Sequence, residues 1–228
     1  MNSERICSPG PTSSPEAFGE QPEMPLRNDS ESLFSAAEKH GRHSYGASKY
    51  LGEILVQHAV KEHSLDARIV RPFNGYGPRL PGDSYGQVTG IFLKQCHTGE
   101  TITIHGDGEQ TRSFLYIDDC VEGTLRLFDS DHVDPINIGS DEQVSINQLV
   151  DVVENISKSN LKLNRNYQLD KPLGVRGRSS NNDKLKEVLK WNYTIKLEEG
   201  MKKTYDWIYE SLSGNDPSIE KFTKSELK

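Results

Sequence analysis

The chain has 228 residues and a formal charge of −7, with 27 Lys and Arg against 34 Asp and Glu. That length holds one large domain or two small ones. The acidic balance excludes nucleic-acid binding through a broad basic surface, which needs cations to displace the counterions of phosphate. No apolar run approaches the roughly 20 residues of a bilayer span, and the start Met1-Asn2-Ser3-Glu4-Arg5 lacks an apolar signal stretch. The expectation is a soluble, cytoplasmic protein with no membrane partner. Cys7, Cys96 and Cys120 form no CxxC pair and no Cys/His cluster of ligand spacing, so free thiols in a reducing compartment and no metal are expected.

Residues 1–43 read as an irregular Pro/Ser-rich segment. Five of the 11 prolines (Pro9, Pro11, Pro15, Pro22 and Pro25) fall in it. Proline fixes φ and removes a ladder donor, so loop is expected, with only Arg5-Ile6-Cys7 hinting at a strand. From Ser44 the pattern sharpens, and 44–86 reads as the remnant of a parallel-sheet domain. Leu51, Ile54, Leu55 and Ala59 recur at helical spacing across Ala47–His63. They predict an amphipathic helix whose apolar face is either core or a pairing surface. Ala67–Arg71 is a short apolar strand, closed by Pro72 and the glycines at 75 and 77. Helix then strand across a short link is the grammar of a parallel α/β sheet.

Residues 87–212 read as a smaller mixed lobe. A helix is expected over Gln87–His97, a strand over Thr101–Ile104, a turn at His105–Gly108 and a strand over Ser113–Ile117. Asp118 or Asp119 would cap a helix running to Phe128. Pro135–Ile138 reads as a strand, and Ser145 as the cap of a helix with Ile146, Leu149, Val150 and Val153 on one face. Residues 157–170 look like linker, Asn182–Trp191 and Leu197–Leu212 like two more helices, and 213–228 like a polar tail.

The chemistry centres on Tyr45-Gly-Ala-Ser-Lys49. A tyrosine and a lysine four apart on a helix project from one face, a turn apart. A phenol titrating near ~10 is a poor base at neutral pH. An ammonium held beside it favours phenolate by direct attraction, which turns the phenol into a usable acid/base. The same spacing also occurs in helices without any catalytic role, so the motif alone decides little.

In company it decides more. Arg71-Pro-Phe-Asn-Gly-Tyr-Gly-Pro78, Gly106–Asp119 and Asn137-Ile-Gly139 follow it. In this order the motifs resemble the extended short-chain dehydrogenase/reductase family acting on nucleotide sugars: NAD-dependent epimerases, 4,6-dehydratases and decarboxylases. Within that family, Gly106–Phe114 with Asn137–Glu142 and Gly174–Arg178 is most similar to the GDP-mannose 3,5-epimerase branch. The resemblance implies a truncated Rossmann-type parallel sheet with a smaller mixed α/β C-terminal substrate lobe. It also implies NAD as cofactor, a nucleotide sugar as substrate, and a homodimer paired through the 47–63 helix.

Roles follow at the matching positions. Tyr45 would be the acid/base at a sugar hydroxyl, Lys49 the group at the nicotinamide ribose, and Ser14 the partner of the sugar oxygen. Pro72 would lie near the nicotinamide. Asn74, Arg112 and Arg178, with Arg176 as companion, would face the diphosphate, where guanidinium forks match phosphate oxygens. The implied reaction is transient oxidation of the sugar, after which epimerisation, elimination or decarboxylation precedes the return of hydride. Glu16 stands at the cysteine of the 3,5-epimerases and matches the glutamate of dehydratases and decarboxylases. The dehydratase aspartate beside it is Pro15, and an ungapped alignment puts Gly86 at the second 3,5-epimerase acid/base, so the exact reaction stays open.

One family signature is missing from the sequence: the G-x-x-G-x-x-G turn whose amides and following helix hold the dinucleotide pyrophosphate. Two readings result. Either the family reaction is performed, by a longer chain or with a partner supplying the cofactor half, or the chain is a remnant that binds nucleotide sugars or partners without turnover.

Overall fold

A computed structural model describes residues 12–39, 43–80, 87–157, 163–171 and 175–213. The strand expected at residues 5–7, Cys7, Gly86 and most of the polar tail lie outside the described residues. In chain order the elements are a 3-10 turn (Pro15–Phe18), a second (Ala37–Lys39), α1 (Ser44–His63), β1 (Val70–Pro72), β2 (Gly75–Tyr76) and α2 (Val88–Thr98). Then come β3 (Ile102–His105), β4 (Thr111–Ser113), β5 (Leu115–Tyr116), α3 (Ile117–Asp129), β6 (Ile136–Ile138) and β7 (Gln143–Ser145). The last are α4 (Ile146–Ile156), β8 (Arg165–Gln168), β9 (Gly177–Arg178), α5 (Asp183–Leu189) and α6 (Leu197–Ser213). They divide into two units that alternate along the chain: 1–74, 118–141 and 178–194 in the first, 75–117, 142–177 and 195–228 in the second.

In the first unit β1 and β6 pair in parallel, Val70 opposite Ile136 and Pro72 opposite Ile138. All three β6 residues are buried, as in a strand covered on both faces. The Ser13 amide extends the pairing with a 2.9 Å bond to the Val70 carbonyl. Residues 12–39 hold two 3-10 turns in otherwise irregular backbone, yet they are firmly seated. Phe18 and Leu26 form a small core with Phe73, Gly19 bridges Leu33, and Leu26 bridges Ser180. Gly19 has φ +61 and lies so near the Leu33 carbonyl that a Cβ would sit 1.9 Å from that oxygen, a site only glycine fits.

Of the two readings of the α1 apolar face, core and pairing surface, core is removed, because Leu51, Ile54 and Leu55 are 55%, 47% and 60% exposed. The buried positions are Gly46 and Glu53, since the inner side of the helix is given to a polar cluster. Neither Asp118 nor Asp119 caps α3, against expectation. The helix begins at Ile117, and the Asp119 carboxylate instead accepts the Thr194 amide at 3.1 Å and hydroxyl at 3.0 Å.

The second unit has the larger apolar core. Phe92 and Leu93 of α2, Ile102 and Ile104 of β3, and Met201 and Tyr205 of α6 gather in it. From α4 come Ile146, Leu149, Val150 and Val153, the face expected from their spacing. Ser145 caps that helix through a reciprocal capping box with Gln148, satisfying two amide donors that a helix start leaves open. β2 pairs with β5 and β3 with β8 in parallel, and β4 runs antiparallel to β7. β8 lies in the stretch expected as linker. Its residues, Arg165-Asn-Tyr-Gln168, show no apolar alternation, so composition conceals it.

Among the described residues no helix is long and apolar enough to cross a membrane, and no group of three or more His, Cys, Asp or Glu is placed to hold a metal ion. Cys96 and Cys120 are free, and burial pushes both thiols up.

Candidate active site

Tyr45 and Lys49 share one face of α1, with the Lys49 Nζ 5.4 Å from the centroid of the Tyr45 ring. Tyr45 is 54% exposed, so its phenol is open to a ligand. Lys49 donates from Nζ to the Thr12 carbonyl at 2.8 Å, which steadies the ammonium beside the ring. At the start of the helix His43 is buried. Its Nε2 lies 2.7 Å from Glu20 Oε1 and its ring meets Phe34 edge-on.

Ser14 is the cap of the first 3-10 turn, its Oγ accepting the Glu16 amide at 3.2 Å. Pro15 follows at the first turn position, where a missing N–H costs nothing and the fixed φ suits the geometry. The turn presents the Glu16 carboxylate to Arg178, with Nε 3.3 Å from Oε1 and Nη2 3.3 Å from Oε2. Arg178 is only 1% exposed, and its Nη2 also donates to the Gly19 carbonyl at 2.8 Å. Its Nη1 is buried without a partner. The guanidinium expected at a diphosphate is thus bound to Glu16 and the loop beneath it.

Pro72 ends β1. Two residues on, Asn74 has φ +42, the left-handed region that asparagine tolerates better than most. Ser14, Glu16, Tyr45, Lys49, Pro72, Asn74 and Arg178 therefore all belong to the first unit. Arg112 and Arg176 belong to the second. There Arg112 donates from Nη1 to the Thr111 carbonyl at 2.7 Å. Arg176 is exposed, with Nη1 3.2 Å from Asp107 Oδ2. The Glu109 amide first, and then the Arg176 guanidinium, hold the Asp107 carboxyl below its usual range.

Sequence reading passed over Ser13, Glu53 and Arg71, which form a buried cluster under α1. A signal was present: Glu53 continues the four-residue stripe of Tyr45 and Lys49. Arg71 is a charge inside an apolar strand, and such a charge demands a partner.

The sequence matches the NAD dependent epimerase/dehydratase family over residues 11–139, more than half of its length. The chain belongs to this family. It is 39% identical over 185 residues to GDP-mannose 3,5-epimerase of Arabidopsis thaliana, covering 77% of this chain and 48% of that protein. It is 36% identical over 160 residues to UDP-glucuronic acid decarboxylase 6 of the same plant, covering 70% and 46%. The chain spans about half the length of the curated relatives it matches.

Solved structures agree on the mixed α/β fold with parallel sheets. UDP-glucose 4-epimerase of Thermotoga maritima with UDP-glucose superposes with a TM-score of 0.78 at 27% identity, over 88% of this chain and 63% of that one. UDP-glucuronic acid 4-epimerase of Bacillus cereus with UDP-glucuronic acid and NAD gives 0.73 at 29%, over 87% and 60%.

Proposed function

We propose that the chain carries the acid/base centre of an NAD-dependent nucleotide-sugar epimerase or dehydratase. The observation that carries this reading is the exposed Tyr45 phenol with the Lys49 ammonium on the same helix face. The donor set fits a nicotinamide riboside. Lys49 gives one ammonium hydrogen to the Thr12 carbonyl and has others that a ribose hydroxyl can accept. Tyr45, Lys49 and Pro72 would hold that end of the cofactor. When bound, the nicotinamide supplies the hydride acceptor that lets a secondary alcohol become a ketone.

The chain's own residues then have defined work. Tyr45 takes the proton of the sugar hydroxyl, and Lys49 sets a positive charge beside its ring. Ser14 offers a hydroxyl to the same sugar oxygen. Glu16, aimed by Arg178, is a carboxylate able to exchange a proton at the neighbouring carbon. In the first unit, Asn74 would serve the diphosphate. The proposal includes a cytoplasmic homodimer, supported by the free thiols and by the outward apolar face of α1.

A second reading is a nucleotide-sugar-binding module without turnover. One experiment separates the two. The chain is incubated with NAD and a panel of nucleotide sugars in D2O and followed by proton NMR, with calorimetric titration of each ligand. A new sugar product, with or without deuterium entering a sugar carbon, supports the enzyme. Sugar-nucleotide binding without a new product or exchange supports the module, and absence of product, exchange and binding overturns the two readings together.

A further inference from the structure

Glu53 lies on the stripe of α1 that carries Tyr45 and Lys49, four residues beyond the lysine. It is 5% exposed, and a carboxylate out of water needs compensation. Three donors from two other segments supply it. Arg71 of β1, itself 7% exposed, forks onto the carboxylate, with Nε 2.7 Å from Oε1 and Nη2 2.5 Å from Oε2. The Ser13 hydroxyl donates to Oε1 as well. Arg71 gives its remaining nitrogen, Nη1, to the Asn28 carbonyl at 3.0 Å, and its guanidinium carbon lies 4.5 Å from the centre of the Phe18 ring.

This cluster joins the residues of the site. Ser13 adjoins Ser14 on one side. On the other it adjoins Thr12, whose carbonyl holds the Lys49 Nζ. A chain of contacts thus runs from Glu53 through Ser13 to Thr12, to Lys49, and to the face of Tyr45. Apolar side chains filling the same space would give equal or greater stability in many folds. What a bidentate pair adds is a fixed angle and distance between the elements it joins. We infer that Glu53, with Arg71 and Ser13, is a positioning residue that sets Ser14 and Lys49 against Tyr45. The role rests on the reading of those three residues given above.

The test uses the 228-residue chain and competitive acylation of its lysines, read by mass spectrometry. Ser13→Ala and Glu53→Gln untie Thr12 and release Lys49. Labelling of Lys49 relative to the other lysines should rise about fivefold, the equivalent of a hydrogen bond of about 1 kcal/mol. Ser13→Thr keeps the hydroxyl and should restore the wild-type rate. Leu189→Ala, which opens the core of the same unit away from the cluster, lowers stability and should leave Lys49 labelling unchanged. Unchanged labelling in Ser13→Ala, or an equal rise in Leu189→Ala, overturns the proposal. The Ser13 pair decides the matter even if Glu53→Gln does not fold. Where turnover is measured, Ser13→Ala should lower kcat while KM holds. Absence of turnover in the wild type would remove the reading of the site, and the labelling would still decide the positioning.

Discussion

Gly46 of α1 faces the carbonyl oxygen of Glu16 so closely that a Cβ built on it would lie 2.3 Å away. The helix that carries Tyr45 therefore rests on the backbone of the turn that carries Ser14, and glycine is the residue that permits it. Gly46→Ala must push the two apart. Overpacking of this kind costs about 1–3 kcal/mol, more than the roughly 1 kcal/mol that alanine gains in helix propensity. The expected result is a lower urea midpoint at constant slope; a variant as stable as the wild type would mean that helix and turn separate freely.

Tyr45→Phe removes one oxygen from an exposed ring. Nucleotide-sugar binding by calorimetry should stay within a few-fold of wild type, while turnover disappears because only the proton transfer is lost. Retained kcat would take Tyr45 out of the acid/base role.

Leu51 and Leu55 are both more than half exposed, so replacing them with glutamate leaves the core untouched. The double substitution should keep the thermal midpoint and convert a dimer to a monomer in sedimentation equilibrium. A wild-type chain that sediments as a monomer throughout would refute pairing through α1.

His132 follows α3. Burial first, then the Lys184 and Arg68 charges, hold its imidazole below the ordinary range against the opposite pull of Asp134 and Glu187. Its Nε2 is buried without a partner, so a second ring proton has nothing to bond. The unfolded chain takes up that proton near pH ~6.5 and the folded chain only lower. Stability is therefore whole above that pH and falls as pH drops through it. Urea unfolding at pH 7.5 and 5.5 should show a smaller loss in His132→Asn than in the wild type, and equal losses would clear His132 of any part.

The helices were legible where apolar period and burial coincide, as in α4, whose Ile146, Leu149, Val150 and Val153 are all interior. In α1 the same period left core and pairing surface undecided. Periodicity tells which side of a helix is apolar, and Leu51 and Leu55 show that this need not be the covered side. The pairing of Tyr45 with Lys49 is set by local spacing, so the sequence displays it. The Glu16–Arg178 contact joins residues 162 positions apart, and Glu53 meets Arg71 only once helix and strand have docked. Such contacts belong to tertiary structure, and a single sequence gives no register for them.

The backbone passes between the two units at 74/75, 117/118, 141/142, 177/178 and 194/195. Neither unit is a continuous stretch of polypeptide. A protease that nicks one passage frees no unit, because the others still tether both halves of the molecule. Exchange of one unit for that of a cousin enzyme accordingly takes several simultaneous splices, and no single crossover point in the gene yields a clean cassette.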